Sequence, residues 1–519
     1  MLTPRAASSH SRVLLNVVSN WSGQIFLIGL GFFLAPFVVR HLGDSAYGVW
    51  TLTRSLAGYM ALLDLGVRGA VTRYVARFFS RSDHEAASRT AASAAAIFLV
   101  IALLAAVVSS LLALLVIDHV DIPSEYRVAA AIVLVLAGVN VGVTLMAGVY
   151  SGIVAGLQRF DVLNTIEIAA AGVNGAAVFL ALRSGQGILT MAAIQLTVSV
   201  CRLVALALLC RRLYPELRIR PRLANIESAR TIFSFSVFSF VMQVSGNLIY
   251  YCDAAVIGAF LPISLLTFFS IGGTLVDYTR TLVSAVSQAT SPLASAIDAQ
   301  RGQARLQTLL LNSATFSSIV VLPIAVTFLI RGESFIALWM GPSYAPLAGR
   351  VLAILTLPLL FHSGAHGTGG ILMGIGKHKP LAPLMVVEGL CNLGLSIVLV
   401  RRMGIVGVAW GTTIPNVMAA VLFWPWYACR TLEVAPARFL TAVWVRPAIA
   451  VAPFAIATYV VDRQWAASTL YGFMFQVALC VPVALAGFWF ICLNASHRQI
   501  ATGFVRARFH TQAIEPVVP

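Results

Sequence analysis

Apolar runs long enough to cross a bilayer recur from near the N-terminus to about residue 493, separated by short polar connections. A membrane-spanning helix needs about 20 predominantly apolar residues. On that measure the pattern predicts fourteen spans, at about 18–39, 46–66, 91–117, 128–150, 162–182, 187–210, 231–251, 263–285, 308–330, 348–373, 381–400, 405–427, 446–461 and 469–493. The second is interrupted by charge and the thirteenth is short. The first fifteen residues are polar and weakly basic, without a small-residue cleavage pattern, so the first run is expected to be a retained span. The predicted fold class is an all-α integral membrane protein.

Composition strengthens this reading. Hydrophobic residues make up 59% of the 519 and charged residues 10%, against roughly a quarter charged in soluble domains. No polar stretch is long enough for a separate soluble domain. The net charge of +16 raises the question of nucleic acid, but the basic residues sit in short clusters between apolar runs, with no aromatic-interleaved basic face. The positive-inside rule accounts for such clusters. With the N-terminus in the cytoplasm, 24 of the 35 Lys and Arg fall in cytoplasmic segments and 8, Arg331 among them, on the outer side; Arg54, Arg202 and Arg280 lie within spans. This bias predicts an even number of spans with both ends cytoplasmic. Two basic connections read as interfacial helices: 67–82, with Arg68, Arg73, Arg77 and Arg81, and 211–222. The seven cysteines form no C-x-x-C, which points away from a disulfide framework or a zinc site.

Internal similarity divides the chain. Sliding it by 219 residues places Leu42 on Leu261 and Ser82, at a basic turn, on Arg301. The expected organisation is an N-terminal lobe of six spans with its basic linker (1–222), a second six-span lobe (223–429), and an extra helix pair with a tail (430–519). Parallel repeats of this kind are common in transporters that bind substrate between lobes.

Ionisable groups at membrane depth are costly and usually face a partner or a watery cavity. Those expected there are Arg54 and Asp64 in the second span, Glu167 in the fifth, Arg202 in the sixth, Asp277 and Arg280 in the eighth and Glu388 in the eleventh, with Asp253 near the outer end of the seventh. Under the repeat offset Arg54 matches Gly273, and Arg280 follows seven residues later, about two helical turns on the same face. An arginine in a low-dielectric cavity suits a phosphate or pyrophosphate. The structural alternative is neutralisation: Asp277 and Arg280 are three residues apart on one helix. The candidate cavity residues are therefore Arg54, Arg280, Asp277, Asp64, Glu388 and Asn392, with Asn20, Gln24, Gln243, Asn247, Tyr250, Tyr251 and Tyr278 as further polar and aromatic candidates. His362 and His366 share a helical spacing without a nearby acidic or cysteine partner, so no metal is expected. The glycine run 364–370 reads as close helix packing or a hinge. No Walker pattern occurs, and no cofactor is expected.

Several segments together resemble the bacterial polysaccharide transporters, the O-antigen and exopolysaccharide flippases. They are 42–76, with Tyr47-Gly48 and Asp64-Leu65-Gly66, then GLQRFDVLN (156–164), Asp253 with the following VIGAFLP, LWMGPSYAP (338–346), GKHKPLAP (376–383) and GIVGVAWGT (404–412). The resemblance implies a two-lobed exporter fold of about fourteen helices, within the superfamily of multidrug, oligosaccharidyl-lipid and polysaccharide exporters. It also implies a polyprenyl-pyrophosphate-linked oligosaccharide as cargo, cavity arginines as phosphate ligands, and a bacterial inner-membrane location. A polysaccharide polymerase and a chain-length regulator are the implied protein partners. The protein is expected to be a carrier and not an enzyme. Competing readings are a cation-coupled multidrug exporter and a membrane glycosyltransferase or polymerase; the short outer connections, about 118–127 and 331–347, speak against the last.

Overall fold

A computed structural model describes residues 9–115, 120–493 and 498, with the side chains of 9–22, 61, 233–243, 245, 247, 248, 250, 285–289 and 363–366 left outside the description. Among the described residues the chain is helical, with no strand. In chain order the helices are α1 (Ser9–Leu42), α2 (Asp44–Met60), α3 (Val67–Phe79), α4 (His84–Leu115), α5 (Ser124–Gly156), α6 (Phe160–Arg183), α7 (Ile188–Leu213), α8 (Ile226–Phe260), α9 (Ser264–Ala299), α10 (Gln303–Trp339), α11 (Ala345–Gly374) and α12 (Leu381–Met403). Three more follow: α13 (Ile405–Leu432), α14 (Pro436–Gln464) and α15 (Leu470–Ile491).

The fourteen expected spans overlap the described helices, and among the described residues eleven helices are long and apolar enough to cross a membrane. That measure does not establish the expected count: α2 has 17 residues, and α8 enters it only through its described Tyr251–Phe260 segment. The solvent-facing logic is that of lipid. On α4, Leu99, Val100, Leu103, Leu104, Leu111 and Leu114 are exposed, while Ala91, Ala94, Phe98, Ile101 and Ala105 pack inward.

The break after α2 has a local cause. A 3₁₀ turn, Ala61–Asp64, ends in Leu65 (φ 50°) and Gly66 (φ 75°). Gly66 takes this left-handed conformation at no steric cost, and the Asp64 carboxylate accepts the backbone N–H of Arg68 in the first turn of α3. Residues 283–285, which are 219 further on, read Val-Ser-Ala, and there α9 runs unbroken for 36 residues. The repeat also recurs in the helix bounds. Helices α4 and α10 begin at His84 and Gln303, and the residues two before each, Ser82 (φ 55°) and Arg301 (φ 53°), are both left-handed.

Two expectations about the connections change. The apolar face of α3 (Val67, Ala70, Val71, Val75) is buried in protein, within a core shared with α4 and α5, rather than bedded in lipid. Residues 214–225 hold only a 3₁₀ turn, Pro221–Leu223, and are pinned to α4. There Ser88 Oγ accepts Arg218 N–H and Ser93 Oγ accepts Asn225 N–H, both at 3.0 Å.

The chain forms two compact units, Met1–Thr274 with Pro380–Pro415, and Leu275–Lys379 with Asn416–Pro519. In the first, α4 packs on α5, α5 on α7, α1 on α6, and α12 on α8. In the second, α10 packs on α11, and α14 and α15 pack on each other and on α10. Two π turns interrupt the helices here, Ala419–Phe423 and Thr441–Val445. Each ends two residues before a proline, Pro425 or Pro447. Proline removes a donor and crowds the carbonyl four residues back, and widening the preceding turn by one residue relieves that crowding.

Arg331 joins the C-terminal pair to α10. It sits one turn and more inside α10, fully buried, and not on the outer connection where charge counting placed it. Its Nε donates to Asp462 of α14 at 2.9 Å, another guanidinium nitrogen donates to Gln476 of α15, and its plane lies 4.4 Å from the Phe473 ring centroid. Gln476 in turn donates to the Trp465 carbonyl at 2.7 Å. Leaving such a buried charge unpaired costs roughly 3–5 kcal/mol. Asp462→Ala is therefore expected to lower the melting temperature of the detergent-solubilised protein. It should also expose the 430–491 segment to limited proteolysis, whereas the apolar pair Arg331→Met with Asp462→Leu recovers most of the loss. An unchanged melting curve for Asp462→Ala would show that the clamp does not hold the pair.

Candidate functional site

Arg54 projects from the middle of α2. Trp50, Thr53, Arg54 and Ala57 recur at helical spacing and form one wall of a cavity of about 130 Å³. Val133, Leu136, Ala137 and Asn140 of α5 form the second wall, and Ala192 and Gln195 of α7 the third. Among the described residues Arg54 makes no ion pair, and Asn140 Oδ1 is buried without a hydrogen-bond partner. Thr53 spends its hydroxyl on the Val49 carbonyl at 2.9 Å. The cavity thus offers the exposed Arg54 guanidinium, without an ion pair among the described residues, and the amides of Asn140 and Gln195 in a largely apolar wall.

Arg280 differs. It lies in the second unit, three-quarters buried or more, and its guanidinium contacts Asp277 on the same helix at 3.3 Å, with the Asp277 side chain 63% exposed. The i, i+3 neutralisation read from the sequence is present. Glu167 and Arg202 also meet, bridging α6 and α7 at 2.9 Å. Asp64 serves as the cap of α3 described above.

Glu388 and Asn392, one turn apart on α12, are both buried. Asn392 belongs to a cluster that draws on α8, α12 and α13, all within the first unit. Thr412 Oγ1 lies 2.9 and 2.8 Å from the two Asp253 oxygens and 3.3 Å from both Asn392 Oδ1 and the Val408 carbonyl. Ser396 Oγ lies 3.1 Å from Asn392 Oδ1 and 3.4 Å from the same carbonyl. The amide nitrogen of Asn392 donates to Ile249 O at 3.0 Å. Gly411 makes the meeting of α12 and α13 feasible, since a Cβ there would stand 2.3 Å from Ser396 Oγ.

The arithmetic of this cluster is informative. One Thr412 hydrogen faces four acceptor oxygens, and a hydroxyl donates to one at a time. Among the described residues no group of three or more His, Cys, Asp or Glu is arranged for a metal.

Sequence reading singled out Asn392 and Asp253 separately and did not join them to Thr412 and Ser396. Serine and threonine hide inside apolar spans because they bond their own helix; the signal available was Thr412 closing the GIVGVAWGT motif. Of the other expected contacts, Gln24 and Tyr251 are exposed and Tyr278 is half-buried. The side chains of Asn20, Gln243, Asn247, Tyr250 and His366 lie outside the described residues.

Residues 37–349 match the family of polysaccharide biosynthesis proteins. The chain is 24% identical over 404 residues to a probable low-salt glycan biosynthesis flippase, Agl15, of Haloferax volcanii, covering 77% of this chain and 80% of that one. It is 18% identical over 399 residues to a putative O-antigen transporter of Shigella flexneri, covering 77% and 93%. In three dimensions it is similar to the lipid II flippase MurJ (TM-score 0.72, 15% identity, 91% and 98% covered). It is also similar to an inward-facing multidrug resistance transporter of the MATE family (TM-score 0.65, 15% identity, 80% and 98% covered). The matched region covers more than half of the chain and the helices are long and apolar: this chain is a multi-pass membrane protein that belongs to the polysaccharide biosynthesis protein family.

Proposed function

We propose that the protein is a flippase that carries a polyprenyl-pyrophosphate-linked oligosaccharide from the cytoplasmic to the outer leaflet by alternating access, for surface polysaccharide biosynthesis. Family membership and relatives named as a glycan flippase and an O-antigen transporter support the cargo class. The observation that carries the reading is Arg54, an arginine without an ion pair among the described residues, facing a cavity at mid-helix depth.

The physical task is to move a charged, hydrated head group through hydrocarbon while its lipid tail stays in the membrane. Arg54 offers a planar fork to the pyrophosphate, and the amides of Asn140 and Gln195 offer neutral contacts beside it. Arg280 is held by Asp277 at rest and becomes open to an anion only when that pair parts. Asn392, tied into the Asp253 cluster, holds the junction of α8, α12 and α13 and does not contact the sugars. In this reading both termini are cytoplasmic, the membrane is the bacterial inner membrane, and a polymerase and a chain-length regulator act on the delivered glycolipid.

Two measurements test these assignments. In vesicles loaded with a defined polyprenyl-pyrophosphate glycolipid, Arg54→Ala is expected to slow flipping roughly tenfold or more, the loss of one charge-assisted contact. Arg54→Lys should retain part of the rate, keeping charge without the fork. Full activity in both Arg54→Ala and Arg280→Ala would remove the pyrophosphate assignment and leave the fold untouched. Separately, Thr412→Val, which removes the hydroxyl shared by Asp253 and Asn392, is expected to lower the melting temperature of the detergent-solubilised protein by loosening the junction of α8, α12 and α13. An unchanged melting curve would show that the cluster does not hold these helices together.

A further inference from the structure

A second polar hollow lies in the other unit, apart from the residues discussed so far. It has a volume of about 280 Å³ and is lined by Asn312 and Thr315 of α10, Arg438, Thr441 and Arg446 of α14, and Cys492 just beyond α15. No carboxylate lines it. Among the described residues neither Arg438 nor Arg446 makes an ion pair.

The backbone brings the two arginines to one face. Eight residues along a regular helix turn by about 800°, which leaves a misalignment of about 80°. The π turn over Thr441–Val445 inserts one residue between them, and so turns the helix back by about 100°. Arg438 and Arg446 are then within about 20° of each other, about 12 Å apart along the axis. The hydroxyls of Thr315 and Thr441 donate to their own helices, to Leu311 O at 3.0 Å and Ala437 O at 2.8 Å. They therefore face the hollow as acceptors, with the guanidinium groups and the Asn312 amide as donors. On the same unit, Trp426 is exposed beneath Arg430, the kind of aromatic placement found at the headgroup level. The charge bias assigns this end of α14 to the cytoplasmic side.

We propose that this hollow binds the headgroup of an anionic glycerophospholipid of the cytoplasmic leaflet. The phosphodiester rests on Arg438 and Arg446, and the headgroup hydroxyls donate to Thr315 and Thr441. Basic hollows between membrane helices on that side suit anionic lipid headgroups. The ligand is a resident lipid and not the transported one, so the inference stands apart from the flippase reading.

Native mass spectrometry of the delipidated full chain tests it, with titrations of phosphatidylglycerol, phosphatidylcholine and inorganic phosphate. One phosphatidylglycerol is expected to bind roughly tenfold or more tighter than phosphatidylcholine. That preference should vanish in Arg438→Ala/Arg446→Ala. Equal binding of the two lipids, or an unchanged preference in the double variant, overturns the proposal. Displacement of the lipid by equimolar inorganic phosphate overturns the lipid assignment in favour of a free-anion site. If the double variant does not fold, Asn312→Ala and Arg438→Gln serve instead. Each is expected to weaken phosphatidylglycerol severalfold and leave phosphatidylcholine unchanged, and no change in either is equally fatal.

Discussion

Hydrocarbon offers no hydrogen-bond partner to a peptide group, and that single constraint shapes this molecule. Each buried N–H and C=O must be satisfied within its own helix, so irregular backbone is confined to places where something compensates for it. The π turns before Pro425 and Pro447 illustrate the compensation: a missing donor is met by a wider turn instead of a break. The break after α2 is met by Asp64, whose carboxylate takes up the Arg68 N–H. Polar side chains obey the same rule. Arg331 is tolerable in a fully buried position because Asp462, Gln476 and the Phe473 ring surround it.

What the sequence made legible is what lipid selects directly. Apolar length located every described long helix, and the charge bias required no structure to detect. The 219-residue offset, weak in identity, pairs Ser82 with Arg301, and both are left-handed residues leading into a helix. The losses have one physical origin. Hydropathy marks where a side chain prefers to be, not what it touches. Arg331 next to Gly332 and Glu333 therefore looked like the edge of a span, although α10 continues to Trp339. The 67–82 arginines looked like a lipid-surface helix because their apolar side was visible, while its cover, α4 and α5, was not.

The candidate site was partly legible for the same reason. Charged and amide side chains announce themselves in an apolar run, so Arg54, Arg280, Asp277 and Asn392 stood out. Hydroxyls and backbone carbonyls do not, and the Asp253 cluster is made mostly of them. A reading by single residues sees Asp253 and Asn392 as separate polar points 139 positions apart. Only the meeting of α8, α12 and α13, close enough to need Gly411, turns them into one acceptor-rich centre.

The two repeats show how one scaffold is given different chemistry. In the first, Leu65-Gly66 breaks the helix after α2, and Arg54 is left without an ion pair among the described residues. In the second, Ser284-Ala285 keeps α9 continuous, and Arg280 sits seven residues further along with Asp277 beside it. A carboxylate three residues away stabilises the arginine at rest and competes with any phosphate for it. An arginine without such a neighbour binds an anion more strongly, at the cost of its own desolvation. Under the flippase reading Arg54 is thus the arginine open to an anion in its own unit, whereas Arg280 answers an anion only by giving up its resting partner Asp277.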